Sequence, residues 1–301
     1  MNWVEKYAPQ TTADLVGHTQ FKADAKGWKE TGLWPPAILL HGSPGMGKTT
    51  AAHCIARDML GEYCEEPNLI ITNSSDDRGI DYIRELKHTV KTSGLCVKRK
   101  VIILDEADGL TSPAQDALRH VMEAGGKYAL FILTANDSTK IKKAIQSRCN
   151  TYRFEFKDSD TDEILERLLH IVGPQTDINQ LKSLIALTNY DLRKCITALE
   201  SSHDNLDEYL RHLAQPLSDM SVAAVTGDYA KLRFAITQSL AEGHNRISIL
   251  RGLRYRVRQM LEDDEYYSFM LTWGEFMEKA MLWGGDDASF MDYFIAKLRA
   301  M

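Results

Sequence analysis

Residues 42–50 read Gly-Ser-Pro-Gly-Met-Gly-Lys-Thr-Thr and follow directly after a short apolar run, residues 37–40, and His41. The pattern Gly-x-x-x-x-Gly-Lys-Thr between a strand and a helix is typical of a phosphate-binding loop. Backbone N–H groups of such a loop surround the phosphates of a nucleotide, and the N-terminus of the following helix adds its dipole. Lys48 is expected to reach the β- and γ-phosphates, and the hydroxyl of Thr49 to bind Mg²⁺. The stretch therefore predicts a binding site for ATP or GTP.

A second buried run, residues 101–104, ends in two acidic residues, Asp105 and Glu106. Desolvating both carboxylates is costly unless a metal ion compensates. Asp105 suits the water shell of the Mg²⁺ ion, and Glu106 can polarise the attacking water. The pair therefore predicts hydrolysis rather than binding alone. Asp108 is expected to cap the next helix and to have no catalytic role.

Short apolar runs alternate with amphipathic segments through about residue 155. The predicted strands are residues 37–40, 69–72, 101–104, 129–134 and 151–156, and the predicted helices are 50–60, 80–90 and 114–123. This alternation predicts an α/β fold with a parallel sheet covered on both faces. Functional groups then belong at the carboxyl ends of the strands, where Asn73, Asp105 and Asn136 fall.

The chain after residue 156 reads as helical, in a first group of helices and then a second from about Pro216. The large apolar residues of the second part are expected to form core or subunit interface rather than a hydrophobic binding box; they are Met260, Met270, Trp273, Met277 and Trp283.

Composition sets outer limits. A chain of 301 residues is long enough for two or three domains, and its net charge of −6 gives no global sign of nucleic-acid affinity, so DNA contact requires local basic patches. The five cysteines form no C-x-x-C pair, which argues against zinc and disulfides and fits a reducing cytosol. No signal peptide and no membrane-length apolar run is apparent. We expect a soluble intracellular protein.

Further blocks accompany the phosphate loop and the Asp-Glu pair. The first are Trp3-Val4-Glu5-Lys6-Tyr7 with Pro9, and Leu15-Val16-Gly17-His18. The later ones are Asn73-Ser74-Ser75-Asp76-Asp77-Arg78-Gly79-Ile80-Asp81, Gln115-Asp116-Ala117-Leu118-Arg119, Thr134-Ala135-Asn136, Ile145-Gln146-Ser147-Arg148-Cys149 and Asp191-Leu192-Arg193-Lys194. Together these blocks resemble the small subunit of the replication factor C type of clamp loader, an AAA+ ATPase family of archaea, eukaryotes and some of their viruses or phages.

The resemblance implies an AAA+ ATP-binding domain at residues 1–156, a helical lid at 157–215 and an all-α collar for oligomerisation at 216–301. ATP and Mg²⁺ are the expected cofactors, with Thr49 and Asp105 on the metal. The expected nucleotide contacts are Val4, Tyr7, Val16, Gly17, Gly42, Ser43, Pro44, Gly45, Met46, Gly47, Lys48, Thr49, Thr50 and Arg193.

The expected catalytic set is Lys48, Asp105, Glu106, Asn136, Arg148 and Arg193. Asn136 is either a contact to the γ-phosphate or attacking water, or a residue that ends its strand in a turn. Arg193 either reaches the γ-phosphate of its own subunit or is an ordinary surface arginine. Arg148 is a solvated charge in a monomer, whereas in a ring of related subunits it can enter the neighbour's ATP site as an arginine finger.

The resemblance also implies that two helices bind phosphates of primer–template DNA, through Arg78, Arg84 and Arg119. The alternative is that these are solvated helix faces. The implied partners are other clamp-loader subunits (copies of this chain plus a large subunit), a sliding clamp and primer–template DNA, with no membrane. The expected location is the cytoplasm, that of the host for a viral protein, or the nucleus for a eukaryotic one.

The predicted function is that of the ATPase subunit of a sliding-clamp loader, in which ATP binding and hydrolysis drive clamp opening and loading onto DNA. The alternatives are another AAA+ DNA-remodelling ATPase, of the branch-migration type, and a scaffold subunit that binds nucleotide without hydrolysis. Intact Lys48 and Glu106 argue against the scaffold. Ala8, His120 and Tyr190 depart from the family pattern and indicate a divergent member.

Overall fold

A computed structural model describes residues 2–73, 80–91, 96–202, 205–241, 246–262, 273–280, 282–283 and 285–299. The chain divides into two compact units. The first comprises residues 1–174 and 191–197, and the second comprises residues 175–190 and 198–301. The division into three domains made from the sequence stays a prediction.

The first unit contains a five-stranded sheet of strand order β2-β3-β4-β1-β5. The strands are β1 Ala37–His41, β2 Leu69–Asn73, β3 Lys100–Asp105, β4 Ala129–Ala135 and β5 Asn150–Arg153. All neighbouring strands are parallel, which confirms the predicted α/β class. Parallel pairing brings the carboxyl ends of all the strands to one edge of the sheet, where the candidate site lies.

The predicted last strand, residues 151–156, was wrong at its end, because β5 ends at Arg153. The N–H of Phe154 still donates to the carbonyl of His41 at 2.7 Å. The residues after this bond pack against aromatic rings. The ring centroid of Phe154 lies 5.2 Å from that of Phe21 and 4.0 Å from that of His18. Burial against His18, which precedes the helix Thr19–Thr31, and against Phe21, which belongs to it, thus replaces further strand pairing.

Helices cover the sheet of the first unit. They are α1 Trp3–Lys6, α2 Thr19–Thr31, α3 Lys48–Leu60, α4 Ile80–Lys91, α5 Ser112–Gly125, α6 Lys143–Gln146 and α7 Thr161–Val172. All residues of the central strand β4 are buried. One core cluster joins β3 and β4 to α4 and α5 through side chains that include Ile102, Phe131, Leu86 and Leu118. This apolar contact stabilises the position of the strand ends, because burial of such side chains is the main favourable term in folding.

The described part of the second unit is helical. Its helices are α8 Ile178–Leu187, the end of α9 Leu192–Ser201, α10 Leu206–Thr226, α11 Tyr229–Ala241, α12 Arg246–Met260, a helical segment at residues 273–280 and a C-terminal helix, Asp287–Arg299. α10 passes through position 216, at which the sequence placed the start of the collar.

The core of the second unit is aromatic. Trp273, Phe276, Phe290 and Phe294 are buried in one cluster, and the rings of Phe276 and Phe294 lie 4.8 Å apart in an edge-on contact. The expectation that Trp273 belongs to a core rather than to a binding box is thereby confirmed, whereas Met270 lies outside the described residues.

In the described ranges of the chain, no helix combines the length and the apolarity that crossing a membrane requires.

Two glycines that lie within helices should respond oppositely to alanine. A Cβ at Gly125 would meet Cγ1 of Val90 at 2.5 Å, whereas a Cβ at Gly27 meets nothing within 4 Å. Gly125→Ala should therefore lower the free energy of unfolding by about 1–3 kcal/mol through overpacking. Gly27→Ala, the matched control, should raise it by up to about 1 kcal/mol because alanine is the better helix former. Urea denaturation measures both, and equal effects would contradict the packing described for α4 and α5.

Candidate nucleotide-binding site

The loop between β1 and α3 requires glycine at two positions because other groups approach its backbone. Gly42 has φ 145°, and a Cβ there would lie 2.0 Å from the carbonyl oxygen of Phe154. Gly45 has φ 77°, and a Cβ there would lie 1.9 Å from Oδ1 of Asp191. Gly47, the N-cap of α3, has no side chain with which to accept from the first N–H groups of the helix. Those N–H groups are suited to an anion such as phosphate.

Lys48 is held beneath this loop by oxygen atoms. It is 8% exposed, and its Nζ donates to the carbonyls of Gly42 at 2.7 Å and Ser43 at 2.8 Å. A third bond, of 2.9 Å, reaches Oδ1 of Asn136. Burial lowers the pKa of the Lys48 ammonium, and the carboxylates of Asp105 and Asp108 act in the opposite direction. The ammonium thus connects the loop to the segment that follows β4.

Thr49 and Asp105 form the oxygen-rich part of the site. Oγ1 of Thr49 donates to Oδ1 of Asp105 at 2.9 Å, and Oγ1 of Thr134 donates to the same oxygen at 2.5 Å. A hydroxyl and a carboxylate are oxygen donors of the kind that Mg²⁺ prefers, usually together with phosphate oxygens and water. The residues present therefore fit an Mg²⁺·nucleotide. Thr134, 1% exposed, belongs to the sequence block Thr134-Ala135-Asn136, but the sequence assigned it no role of its own.

Glu106 is exposed and follows Asp105 with a strained backbone. Its φ is 53°, in the left-handed region that residues other than glycine rarely adopt. Its N–H donates to Oγ1 of Thr134 at 3.0 Å, so the hydroxyl that orients Asp105 also fixes the backbone of Glu106. Strain of this kind persists only where the surroundings impose it, and it concentrates at functional sites.

The expectation that Asp108 caps the next helix was wrong. A short 3₁₀ turn, Ala107–Gly109, intervenes, and α5 is capped by Thr111, whose Oγ1 accepts from the N–H of Ala114. Oδ2 of Asp108 instead accepts from the N–H groups of Asn136 and Asp137, each at 3.2 Å. Asp108 therefore fixes the backbone that carries Asn136.

A largely apolar cleft adjoins the loop, as suits a nucleobase. Of the predicted contacts, those that line it are Val4, Tyr7, Val16, Gly45, Met46, Gly47, Thr50 and Arg193. Gly42 and Ser43 line a neighbouring polar groove together with Asn136. Pro44 is exposed, and Gly17 packs against Phe156, to which a Cβ would come within 2.9 Å. The cleft is also lined by Phe156 and Arg167, which the sequence did not single out, and by His18, which belongs to a quoted sequence block but was not predicted as a contact.

The N-terminal wall of the cleft is held by side chains that bond to its backbone. Arg167, on α7, donates to the carbonyl of Tyr7. Nη1 of Arg57 donates to the carbonyl of Pro9 at 3.2 Å, and the carboxylate of Asp58 accepts both the N–H and the hydroxyl of Thr12 at 2.9 and 2.6 Å. Nothing in the sequence marked Arg167, because an arginine on the polar side of an amphipathic helix is ordinary.

His18 closes the cleft beside the loop. Its Nε2 lies 3.0 Å from the carbonyl oxygen of Met46, and its ring stacks on Phe154 and Phe156. Burial lowers the pKa of His18, so the neutral imidazole is favoured at this position.

Five arginines were predicted for catalysis or DNA binding, and the three whose side chains the structure describes occupy two places. Arg193 is exposed and lines the cleft. Arg148 lies between α6 and β5, and its guanidinium donates to the carbonyl of Ala144 at 2.6 Å and to Oε1 of Glu123 at 2.5 Å. Arg119 pairs with the same Oε1 at 3.2 Å. Arg78 and the side chain of Arg84 lie outside the described residues.

Several curated proteins are similar to this chain. The replication factor C small subunit of Methanosphaera stadtmanae is 40% identical over 204 residues, which cover 66% of this chain and 62% of the relative. That of Methanococcus maripaludis strain S2 is 36% identical over 243 residues, with 77% and 76% covered. That of Haloarcula marismortui is 35% identical over 254 residues, with 80% and 77% covered. The chain spans 62–64% of the length of several such relatives.

Residues 62–158 match the family described as DNA polymerase III, delta subunit. Among solved structures, the RuvB Holliday junction branch migration motor of Thermotoga maritima superposes with a TM-score of 0.57 at 16% identity, over 71% of this chain and 74% of that one. This likeness concerns the fold alone. The relatives at 35–36% identity extend over more than three quarters of this chain and of their own length. The chain therefore belongs to the replication factor C small-subunit family.

Proposed function

We propose that this chain is the ATPase subunit of a sliding-clamp loader. One observation carries the proposal: three motifs far apart in the sequence meet at one edge of the sheet. Lys48 of the phosphate loop bonds to Asn136 after β4, and Thr49 bonds to Asp105 at the end of β3. This is the set of groups that binding and cleaving a nucleoside triphosphate requires.

Each side chain has a role in that reaction. Lys48 supplies positive charge to the β- and γ-phosphates. Thr49 and Asp105 would hold Mg²⁺, and the ion would supply charge neutralisation at the phosphate oxygens. Glu106 orients and deprotonates the attacking water, and Asn136 positions that water or the γ-phosphate. Arg193 contacts the γ-phosphate from the helix that begins at Leu192.

The catalytic site for hydrolysis is completed by a residue of the adjacent subunit. The described bonds of Arg148 are to Ala144, Ser147 and Glu123, none of which lines the nucleotide cleft. Arg148 therefore acts as an arginine finger toward the ATP of an adjacent subunit. Such groups contribute on the order of 10³-fold or more to the rate.

The partners follow from the family: further copies of this chain, a large subunit, a sliding clamp and primer–template DNA. DNA is bound through its phosphates by Arg78, Arg84 and Arg119, without reading of base sequence. The protein works where DNA is replicated, in the cytoplasm or the nucleus. Glu106 and Lys48 argue against a scaffold without hydrolysis, and the relatives argue against a branch-migration enzyme, for which the likeness in fold is the only support.

Substitutions of Lys48 and Glu106 should affect different steps, ATP binding and ATP hydrolysis respectively. Lys48→Ala removes the charge that binds phosphate, so ATP affinity should fall by at least about 100-fold, or about 2.7 kcal/mol. Glu106→Gln should keep ATP bound but abolish turnover, because it removes the base that activates the water and no contact that binds the phosphates. Calorimetric ATP titration and phosphate release measure the two effects, with Lys26→Ala, 77% exposed, as the control. Equal loss of ATP affinity in both variants would contradict these roles.

Clamp loading and branch migration can be distinguished by the DNA structure that stimulates ATP hydrolysis. With its partner subunits present, the protein should hydrolyse ATP faster on a primer–template duplex plus clamp, and this stimulation should fall steeply with salt because the contacts are to phosphates. A four-way junction should stimulate less than the primer–template. Preference for the junction would favour the branch-migration alternative, and the absence of any hydrolysis would favour the scaffold.

A further inference from the structure

Glu123, on α5, is shared by two arginines. Its Oε1 accepts from Nη2 of Arg148 at 2.5 Å and from Nη1 of Arg119 at 3.2 Å. His120 joins the group, with Nδ1 3.6 Å from Oε2 of Glu123 and Nε2 2.9 Å from Nη2 of Arg119. One carboxylate thus links the arginine assigned to a neighbour's ATP to the arginine assigned to DNA.

The charges of this group do not balance. Two guanidinium ions face one carboxylate, so the group carries a net positive charge in a chain whose net charge is −6. Burial raises the pKa of Glu123, but the hydrogen bond from Arg148 and the charges of Arg119 and Arg148 hold it below its usual value. The carboxylate therefore stays ionised, and the excess positive charge favours an incoming phosphate.

Arg148 is fixed at two points. Nη1 is held by the carbonyl of Ala144 on α6, with a longer contact of 3.5 Å to Oγ of Ser147, and Nη2 is held by Glu123 on α5. Its Nε has no acceptor among the residues that the structure describes, and its side chain is 38% exposed. A planar guanidinium that two hydrogen bonds already hold loses little further conformational freedom when it binds phosphate. Positioning of this kind raises the rate of the chemical step.

We propose that Glu123 is a positioning residue that orients Arg148 toward the ATP of the adjacent subunit, and that Arg119 competes for the same carboxylate. A DNA phosphate that binds Arg119 breaks the bond between Arg119 and Glu123. Glu123 then bonds to Arg148 alone, so DNA bound at Arg119 holds the guanidinium of Arg148 more firmly in place. The inference rests on the proposed roles of Arg148 and Arg119.

The test uses the complex assembled with its partner subunits and compares Glu123→Ala, Glu123→Gln, Arg148→Ala and the double variant Glu123→Ala/Arg148→Ala. Glu123→Ala should lower kcat by about 10–100-fold with KM for ATP unchanged, as expected for a displaced catalytic group. Glu123→Gln, which keeps an acceptor, should lie between it and the unaltered protein. Glu30→Gln is the control: Glu30 is 65% exposed, and its recorded ion pair is with Lys26 at 3.9 Å.

The double variant separates positioning from mere structure. If Glu123 acts through Arg148, adding Glu123→Ala to Arg148→Ala should change kcat no further, because coupled residues are non-additive. The thermal midpoint should not fall, since exposed ion pairs contribute little to stability. A further drop in kcat in the double variant, or a lowered midpoint that accounts for the loss, would overturn the proposal.

A DNA measurement completes the test. Glu123→Ala should bind a primer–template duplex at least as tightly as the unaltered protein, because Arg119 is released, yet it should lose most of the DNA stimulation of kcat. Weakened DNA binding would overturn the proposal. If Arg148→Ala hydrolyses ATP normally, the proposed role of Arg148 itself fails. If Arg148→Ala is impaired but Glu123→Ala is not, only the inference about Glu123 fails.

Discussion

The ammonium of Lys48 is the group on which the site depends. It bonds to two carbonyls of the phosphate loop and to the side chain of Asn136, and so joins the turn after β1 to the turn after β4. Because β1 and β4 are neighbours in the sheet, a single side chain can span both turns. In the proposed complex, a triphosphate offers the same ammonium oxygen ligands of higher charge than the backbone carbonyls.

A second layer of contacts fixes the groups around Lys48. Thr134 orients Asp105 and the backbone of Glu106 with one hydroxyl. Asp108 holds the N–H of Asn136, and Arg167 holds the carbonyl of Tyr7. Networks of this kind position functional atoms because each buried polar group has a partner. The Glu123 group extends the same principle to a surface where one carboxylate is divided between two cations.

The sequence predicted what local pattern determines. The phosphate loop, the five strands and the acidic pair were readable because glycine positions, apolar runs and charge placement are local signals. The end of β5, the cap of α5, and the hydrogen bonds of Thr134 and Arg167 were not readable. Each depends on a partner distant in sequence: Phe154 on Phe21, Asp108 on Asn136, Thr134 on Asp105, and Arg167 on Tyr7. Packing and hydrogen bonds formed only after folding decided these positions.

A crystal structure of the subunit with Mg²⁺ and a non-hydrolysable ATP analogue tests the central claim most directly. The account predicts that Nζ of Lys48 contacts the β- and γ-phosphates, that Thr49 and Asp105 lie on the Mg²⁺ ion directly or through its water, and that the adenine occupies the cleft beside Val4 and Tyr7. A nucleotide bound elsewhere, or an Mg²⁺ ion remote from Thr49 and Asp105, would contradict it.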